Sequence, residues 1–310
     1  MKKIPVWIDT DTGVDDAVAL VLASKLEELD IVGVSAVAGN TSLENAFRNA
    51  RDVLSLVGRE DVKVYAGADR PLFIKLFTAE KVHGSNGLGG AIIPLSKAEI
   101  EKDKAWDSLY EKAKELKGEL VVCAVGPLTN IATAIIKHPD IVDLIKELDI
   151  MGGALIGGNV SPCAEFNIYT DPQAAETVFR SGIKVNMFGL DVTEKAYLND
   201  EDCVQIASYG NKVSDLFRDS NESYRAYQSK MKRKGLCEHD SCPIMYLAHP
   251  EWFEGHECGI YVETQGTITF GKTVSDLWTD YKFEDRHCKA FLEVDREKFV
   301  EAIKEAYRSF

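Results

Sequence analysis

The sequence predicts an α/β fold in which residues 1–310 form one domain around a mostly parallel, Rossmann-like central sheet flanked by helices. Short apolar runs alternate with amphipathic helical stretches, which is typical of βαβ units. The chain has 310 residues, 45% of them hydrophobic, and can therefore bury a large core. It contains no internal repeat, low-complexity tract or Pro/Ser-rich linker that would divide it. One domain is the expectation.

The predicted elements alternate along the chain. Strands are predicted at residues 5–8, 31–36, 120–124, 148–151 and 185–188, and helices at 17–25, 43–57, 128–137 and 174–181. Two strongly polar helices follow at 200–211 and 212–234, and the second is expected on the surface. Residues 260–264 and 267–270 alternate apolar with polar side chains around Gly266, which predicts a hairpin. A helix at 295–307 follows.

Charge and cysteine content restrict the partners and the compartment. Lys+Arg 36 against Asp+Glu 50 gives a net charge of −14, so the surface repels nucleic acid and anionic membranes, and a small-molecule substrate is expected instead. The apolar run near the N-terminus is short and interrupted by Pro5, unlike a signal peptide or membrane anchor. The 7 cysteines form no CxxC pattern, which favours reduced thiols and a cytoplasmic location.

Four aspartates crowd the junction between the first predicted strand and helix: Asp9, Asp11, Asp15 and Asp16. Ligands of parallel α/β sheets bind at the carboxyl ends of strands, where this cluster falls. A helix cap accounts for one aspartate. Four repel one another unless protons or a cation intervene, and oxygen ligands without nearby His or Cys indicate Ca²⁺ or Mg²⁺. The EF-hand pattern fails, because Gly13 and Leu20 stand where its loop needs ligands.

Two phosphate-handling motifs compete with this interpretation. Asp9 and Asp11 also resemble the first motif of haloacid-dehalogenase phosphotransferases, with Asp9 as nucleophile and Asp11 as general acid. That hypothesis leaves Asp15 and Asp16 unexplained. Residues 266–273, GTITFGKT, match the P-loop pattern, but their β-branched alternation favours a strand and no convincing helix start follows. We interpret this match as coincidental.

Three further polar groups follow predicted strands or begin predicted helices. They are Asn40 after Gly39, the run of Asn159, Glu165 and Asn167, and the pair His239 and Asp240 before an apolar helix. Each group has an ordinary explanation when taken alone. Asparagine and glutamate are common in turns, and His239 with Asp240 would serve as a helix cap.

Taken together and in this order, these segments resemble the inosine–uridine preferring nucleoside hydrolase family over nearly the whole chain. The blocks that carry the resemblance are DTDTGVDDAVAL at 9–20, AVGPLTNIA at 124–132, AEFNIYTDPQAA at 164–175 and HDSCPIMYL at 239–247. The first departs from the family signature only at Thr12, where proline is usual, and Thr12 is not a ligand position. The resemblance implies the nucleoside hydrolase fold and calcium-dependent hydrolysis of the N-glycosidic bond of ribonucleosides, which releases free base and ribose.

The resemblance also implies individual roles. Ca²⁺ would be bound by the carboxylates of Asp11, Asp16 and Asp240 and by the backbone carbonyl of Val125. The substrate would be bound by Asp15, Asn40, Asn159, Glu165, Phe166 and Asn167. His239 and His83 would face the base, and His239, at an ordinary pKa near neutrality, would assist its departure. A homodimer or homotetramer is expected.

The chemistry agrees with these roles. Ca²⁺ lowers the pKa of its bound water, and Asp11 is the candidate base that takes the proton as the water attacks C1′ of the ribose. Two alternatives stay open: hydrolysis of a modified nucleoside such as queuosine, and nucleoside binding without turnover. The preferred base also stays open, because variable loops near His83 and residues 224–234 form its pocket.

Overall fold

The central feature of the computed structural model, which describes residues 2–230 and 233–310, is an eight-stranded sheet. The strands are β1 (Ile4–Thr10), β2 (Leu29–Ala36), β3 (Val64–Ala66), β4 (Leu120–Ala124), β5 (Ile145–Met151), β6 (Val185–Phe188), β7 (Tyr197–Leu198), β8 (Leu236–Cys237), β9 (Phe253–Cys258), β10 (Ile260–Val262), β11 (Thr273–Ser275) and β12 (Cys288–Val294). The order in the large sheet is β3-β2-β1-β4-β5-β6-β12-β9, while β10 pairs with β11 and β7 with β8.

The strands of the central sheet run parallel except at one edge. β1 lies in the interior and pairs with β2 on one side and β4 on the other, both in parallel. β9 runs antiparallel to β12 at the edge. The prediction of a single α/β domain with a mostly parallel sheet is confirmed.

Helices cover both faces of this sheet. They are α1 (Val14–Ala23), α2 (Leu43–Leu56), α3 (Glu80–His83), α4 (Ala105–Leu116), α5 (Thr129–Lys137), α6 (Phe166–Thr170), α7 (Pro172–Phe179), α8 (Leu190–Thr193), α9 (Asp200–Ala207), α10 (Lys212–Lys230), α11 (Ser241–Ala248) and α12 (Arg296–Arg308). Ile8 belongs to one apolar core and its neighbour Trp7 to the other, because successive side chains of a strand face opposite sides. Within the described residues, no helix is both long and apolar enough to span a membrane.

The first helix carries its acidic residues into the protein interior. All residues of α1 are buried, which agrees with its uniformly apolar body after Asp15 and Asp16. The backbone N–H of Gly13 donates to Asp16 Oδ2 at 2.8 Å and so caps the start of the helix. The carboxylates of the first turn are therefore shielded from bulk water.

Two predictions of local structure are wrong. Residues 267–270 form turns rather than a strand. The strand that pairs with β10 is β11, so the loop of the hairpin is longer than predicted. The helix predicted at 212–234 ends at Lys230 as α10, and residues 231 and 232 lie outside the described residues. Nor is α10 purely a surface element, because Leu216, Phe217 and Tyr224 on it are buried.

The carboxyl ends of neighbouring strands bring the predicted site residues to one edge of the sheet. Asp11 follows β1, Asn40 follows β2, and Val125 follows β4 directly. The segment after β5 leads to Asn159 and Glu165. These four strands are adjacent in the sheet, so their C-terminal segments meet where ligands of parallel α/β sheets bind.

Candidate active site

A cavity of about 450 Å³ lies at this edge of the sheet. Its lining includes most of the residues that the sequence predicted for the site: Asp15, Asn40, His83, Val125, Asn159, Glu165, Phe166, Asn167, His239 and Asp240. Asp11 and Asp16 do not line it directly. Both are fully buried and accept hydrogen bonds from the lining residue Asn40.

Three buried carboxylates converge at the cavity. One oxygen each from Asp15, Asp16 and Asp240 lies within 4.8 Å of the others, although Asp240 comes from the start of α11 and the other two from α1. Burial, followed by the charge of Asp16, raises the pKa of Asp15 to about 8. Burial and the charge of Asp15 raise the pKa of Asp240. A hard cation bound here would relieve this repulsion, and the all-oxygen donor set suits calcium.

Asp11 adjoins this triad and is tightly held. Its Oδ2 accepts the backbone N–H of Asn40 at 2.6 Å, and a Cβ atom at Gly39 would overlap that oxygen. Burial and the charge of Asp16 raise the pKa of Asp11. Asp11 is not one of the three mutually closest carboxylates. The charges of Asp16 and Asp15 nevertheless act on it, so its carboxyl lies beside the triad.

Asp16 is oriented from two sides. Its Oδ1 accepts from Thr10 Oγ1 at 2.6 Å, and its Oδ2 accepts from Asn40 Nδ2 at 3.0 Å. Thr10 is the last residue of β1, and Asn40 follows β2. The strand ends therefore position this carboxylate before any ligand arrives.

The opposite wall of the cavity is organised by Glu165 and Asn167. Glu165 caps α6 by accepting the backbone N–H groups of Asn167 at 2.9 Å and Ile168 at 3.2 Å, and it accepts Gly153 N–H at 2.9 Å. Burial raises the pKa of Glu165 to about 7. Asn167 Nδ2 donates to the carbonyl of Val125 at 2.8 Å. Glu165 is thus a helix cap rather than the turn residue of the ordinary explanation, and the same side chain also lines the cavity.

Asn159 and Phe166 complete that wall. Asn159 Oδ1 accepts the backbone N–H of Phe166 at 2.9 Å, which ties the loop after β5 to the start of α6. The Phe166 ring lies 6.2 Å from the ring of Phe77. Phe77 comes from a different part of the chain and also lines the cavity. This side of the cavity is therefore partly aromatic.

His83 is buried and neutral. Its Nδ1 accepts the backbone N–H of Val14 at 3.1 Å, so the ring proton sits on Nε2. Burial lowers the pKa of His83 to about 3. The ring lies 5.5 Å from the ring of Tyr224 on α10, which places both side chains at the cavity.

His239 also lines the cavity, but its pKa differs from the sequence expectation. Burial, and then the charge of Arg233, lowers the pKa of His239 to about 3. This lowered pKa favours a neutral ring at pH 7, in contrast to the ordinary pKa expected from the sequence. Its Nδ1 lies 2.7 Å from Thr193 Oγ1.

The two competing motifs have structural roles. Asp9 lies beneath the site, where its Oδ1 accepts from Asn130 Nδ2 at 2.7 Å and from Ser35 Oγ. Lys272 of the P-loop-like segment donates to the carbonyls of Ala154 and Leu155, each at 2.8 Å. The strand β11 follows it, where a P-loop would begin a helix.

Several cavity residues carry no sequence motif. Tyr227, Gln228 and Arg233 line the cavity together with Tyr224, so the predicted proximity of residues 224–234 to the site is confirmed for these positions. Thr193 reaches the cavity through its contact with His239. The spacing of residues in the sequence predicts none of these cavity residues. The polar face of a helix has the same sequence pattern whether it contacts a ligand or water.

Buried carboxylates beneath a cavity at the carboxyl edge of a parallel sheet define an α/β enzyme that acts on a small molecule. The family described as inosine-uridine preferring nucleoside hydrolase matches residues 6–301, and the chain belongs to that family. It is therefore an N-glycosidase, and the phosphotransferase hypothesis is wrong.

Relatives and solved structures agree along the whole chain. The pyrimidine-specific ribonucleoside hydrolase RihA of Photobacterium profundum is 38% identical over 310 residues, covering 99% of each chain. A plant nucleoside hydrolase, the PpNRh1 enzyme, superposes with a TM-score of 0.94 at 30% identity and covers 100% of both chains. The purine-preferring ribonucleoside hydrolase of Gardnerella vaginalis gives 0.91 at 31% identity, covering 99% of this chain and 100% of that one.

Proposed function

We propose that the protein is a calcium-dependent ribonucleoside hydrolase that releases free base and ribose, with pyrimidine ribonucleosides as preferred substrates. The observation that carries the proposal is the convergence of buried aspartates beneath a cavity walled by the amides and carboxylates of the family blocks. The pyrimidine preference is supported by the relative at 38% identity, which is named pyrimidine-specific.

The proposed calcium ligands are the carboxylates of Asp11, Asp16 and Asp240 and the carbonyl of Val125. A carbonyl oxygen has two lone pairs, so the bond from Asn167 to Val125 leaves one for a cation. Calcium accepts several oxygen ligands, and the ribose diol and water would complete the shell. Asp15, the remaining carboxylate of the triad, is proposed to bind the 2′-hydroxyl together with Asn40.

Asp11 is the proposed general base. Its Oδ2 is occupied by the backbone of Asn40, whereas its buried Oδ1 has no hydrogen-bond partner within the described chain. Oδ1 is therefore the atom that would accept the proton of the attacking water. When bound, calcium supplies positive charge that lowers the pKa of that water and offsets the repulsion among the aspartates.

The other walls are proposed to bind the sugar and the base. Asn159, Glu165 and Asn167 supply oxygens and amides for the ribose hydroxyls, and oxygens close to the ring stabilise its oxocarbenium character as the base departs. His83 and His239 face the base as neutral rings. Each is proposed to donate a hydrogen bond from Nε2, the nitrogen not used by Val14 or Thr193.

A nucleoside panel tests this function. We expect uridine and cytidine to be hydrolysed with a kcat/KM at least about tenfold above that of inosine and adenosine, within the range that pocket contacts achieve. Free base is measured chromatographically and ribose by its reducing end. 2′-Deoxyuridine is the matched control, because it lacks the hydroxyl assigned to Asp15 and Asn40 and should be cleaved far more slowly.

The panel also separates the alternatives. Turnover of queuosine with none of the common nucleosides would favour the modified-nucleoside hypothesis. Saturable binding of uridine without release of base would identify a binding protein. A purine preference would overturn the proposed base specificity but leave the reaction class intact.

We predict that calcium stabilises the fold more strongly as the pH rises. In the ion-free protein the folded pKa of Asp15 is about 8, raised from 3.8, so its protonated form stabilises the fold below pH 4 and this contribution is lost as the pH rises towards 8. The charge of calcium bound beside Asp15 would do what that proton does, which is to offset the repulsion among the carboxylates. At a hundredfold excess over Kd it should add about 2.7 kcal/mol, or about 5–10 °C in Tm.

The measurement is thermal unfolding at pH 5.5 and pH 8, with chelator or with excess calcium. Asp240→Asn is expected to lose most of the calcium-dependent shift, while Asp280→Asn, an exposed surface change, should keep it. An equal shift at both pH values would contradict proton displacement from the cluster. A shift with magnesium but none with calcium would identify a different cation.

We also propose a location and an assembly for the protein. The described cysteines are free, and all but Cys163 are buried, which suits a reducing compartment such as the cytoplasm. We propose a homodimer or homotetramer acting on a small-molecule ribonucleoside, with neither nucleic acid nor a membrane as partner. Light scattering of the purified protein measures the oligomeric state directly.

A further inference from the structure

The short helix α8 and its C-terminal neighbour Glu194 contact three separate walls of the cavity. α8 follows β6 and contributes no residue to the cavity lining itself. The polar side chains of α8 and Glu194 nevertheless reach the loop after β5, the histidine that precedes Asp240, and Arg233. Each contact is made by a different side chain, which gives this segment a distinct role for each wall.

The first contact holds the sugar-side loop. Asp191 Oδ2 accepts the backbone N–H of Leu155 at 2.7 Å, and its Oδ1 accepts that of Ile156 at 3.0 Å. Lys272 donates to the carbonyl of Leu155, so the same short stretch is held by a carboxylate on one side and an ammonium on the other. This loop continues to Asn159 and Glu165.

A backbone connection reaches the same wall more directly. The N–H of Leu190, the first residue of α8, donates to the carbonyl of Gly153 at 3.0 Å. The N–H of Gly153 in turn donates to Glu165 Oε2 at 2.9 Å. The position of α8 therefore sets the position of the carboxylate that caps α6.

The second and third contacts hold the base side. Thr193 Oγ1 lies 2.7 Å from His239 Nδ1. This contact holds the ring in place in either direction, because a hydroxyl can donate to Nδ1 or accept from it. The next residue, Glu194, forms an ion pair with Arg233, which lines the cavity just after the end of α10. Two consecutive residues thus hold two groups of the base-side wall.

We propose that residues 191–194 are the positioning element of the active site, in which Asp191 sets the sugar wall while Thr193 and Glu194 set the leaving-group wall. This inference rests on the proposed nucleoside hydrolysis. It assigns separable kinetic effects to side chains two or three positions apart. Thr193 acts by holding the orientation of His239, and Glu194 acts by holding Arg233.

The test compares uridine with p-nitrophenyl riboside, whose leaving group needs no assistance. Thr193→Val and Glu194→Gln are expected to lower kcat for uridine by about 10- to 100-fold, as for other residues that orient an active-site group, and to affect p-nitrophenyl riboside much less. Asp191→Asn is expected to raise KM for both substrates by a similar factor, because both carry the same ribose.

Thr193→Ser is the matched variant, because it keeps the hydroxyl and should restore most of the uridine rate. Restoration supports the proposal, and a Ser variant as slow as the Val variant would overturn it. Equal losses on both substrates for all three substitutions would mean that α8 only supports the fold. A wild-type protein that hydrolyses neither substrate would overturn the proposed function and this inference with it.

Discussion

Asp11→Asn is expected to lower kcat by about 10²–10⁴-fold from loss of the general base alone, and further through weaker calcium binding. The asparagine can still accept the Asn40 N–H and touch a cation through its oxygen. It cannot take a proton from water. Weak binding of ribose should therefore survive, and single-turnover hydrolysis of uridine measured at saturating calcium would separate the two effects.

Asp280→Asn provides the control, since it removes the same charge from an exposed position. Its rate should match that of the wild type. Near-native turnover by Asp11→Asn would show that another group takes the proton. Asp15 would then be the first candidate, because its Oδ1 is also buried without a hydrogen-bond partner in the described structure.

The convergence of the site residues could be predicted because each stands at a strand end or helix start. Asp11 and Asn40 follow adjacent parallel strands, and the topology of such a sheet brings their C-terminal segments together. Asp240 begins an apolar helix, and α11 packs against α1. Because α11 is apolar, it must pack against the core, and this packing places its first turn close to the first turn of α1.

The edge of the sheet and the distal hairpin were harder to predict. β9 carries Glu254, Gly255, His256 and Glu257, a polar run without the apolar alternation of a strand. It pairs with β12 at the exposed edge, where burial does not select apolar residues. At residues 267–270 apolar and polar side chains do alternate, but over only four residues. Gly271, with a φ of 77°, sits where those turns end, and the chain pairs only afterwards.

The electrostatics of the site could not be derived from spacing at all. The ordinary pKa assigned to His239 presumed full contact with water, whereas the fold half-buries the ring and places Arg233 nearby. The functions of Asp191 and Glu194 depend equally on partners far away in the chain. Motifs specify which groups meet, but protonation depends on everything packed around them.

His239→Ala is expected to slow hydrolysis of natural nucleosides by about 10²-fold while p-nitrophenyl riboside loses little. His239 precedes Asp240, so fixing Asp240 in the carboxylate cluster holds the imidazole beside the leaving base. A pyrimidine departs with negative charge and gains from a donor, whereas p-nitrophenolate is already a good leaving group. Parallel rate measurements on the two substrates provide the test, and equal losses would mean that His239 shapes the pocket or supports Asp240.

The low pKa makes the prediction more specific. With a folded pKa of about 3, His239 is mostly neutral above that pH, so its titration should produce no fall in kcat as the pH rises through 6.5.

A neutral ring can donate a hydrogen bond from Nε2 to the departing base, although it carries no positive charge. His239→Gln, which keeps an N–H donor of similar reach, should therefore retain a larger part of the uridine rate than His239→Ala. If the Gln and Ala variants were equally slow and the wild-type rate fell above pH 6.5 only while His239 was present, the imidazolium would be the acid. The bound substrate would then have to raise the pKa of His239 back towards neutrality.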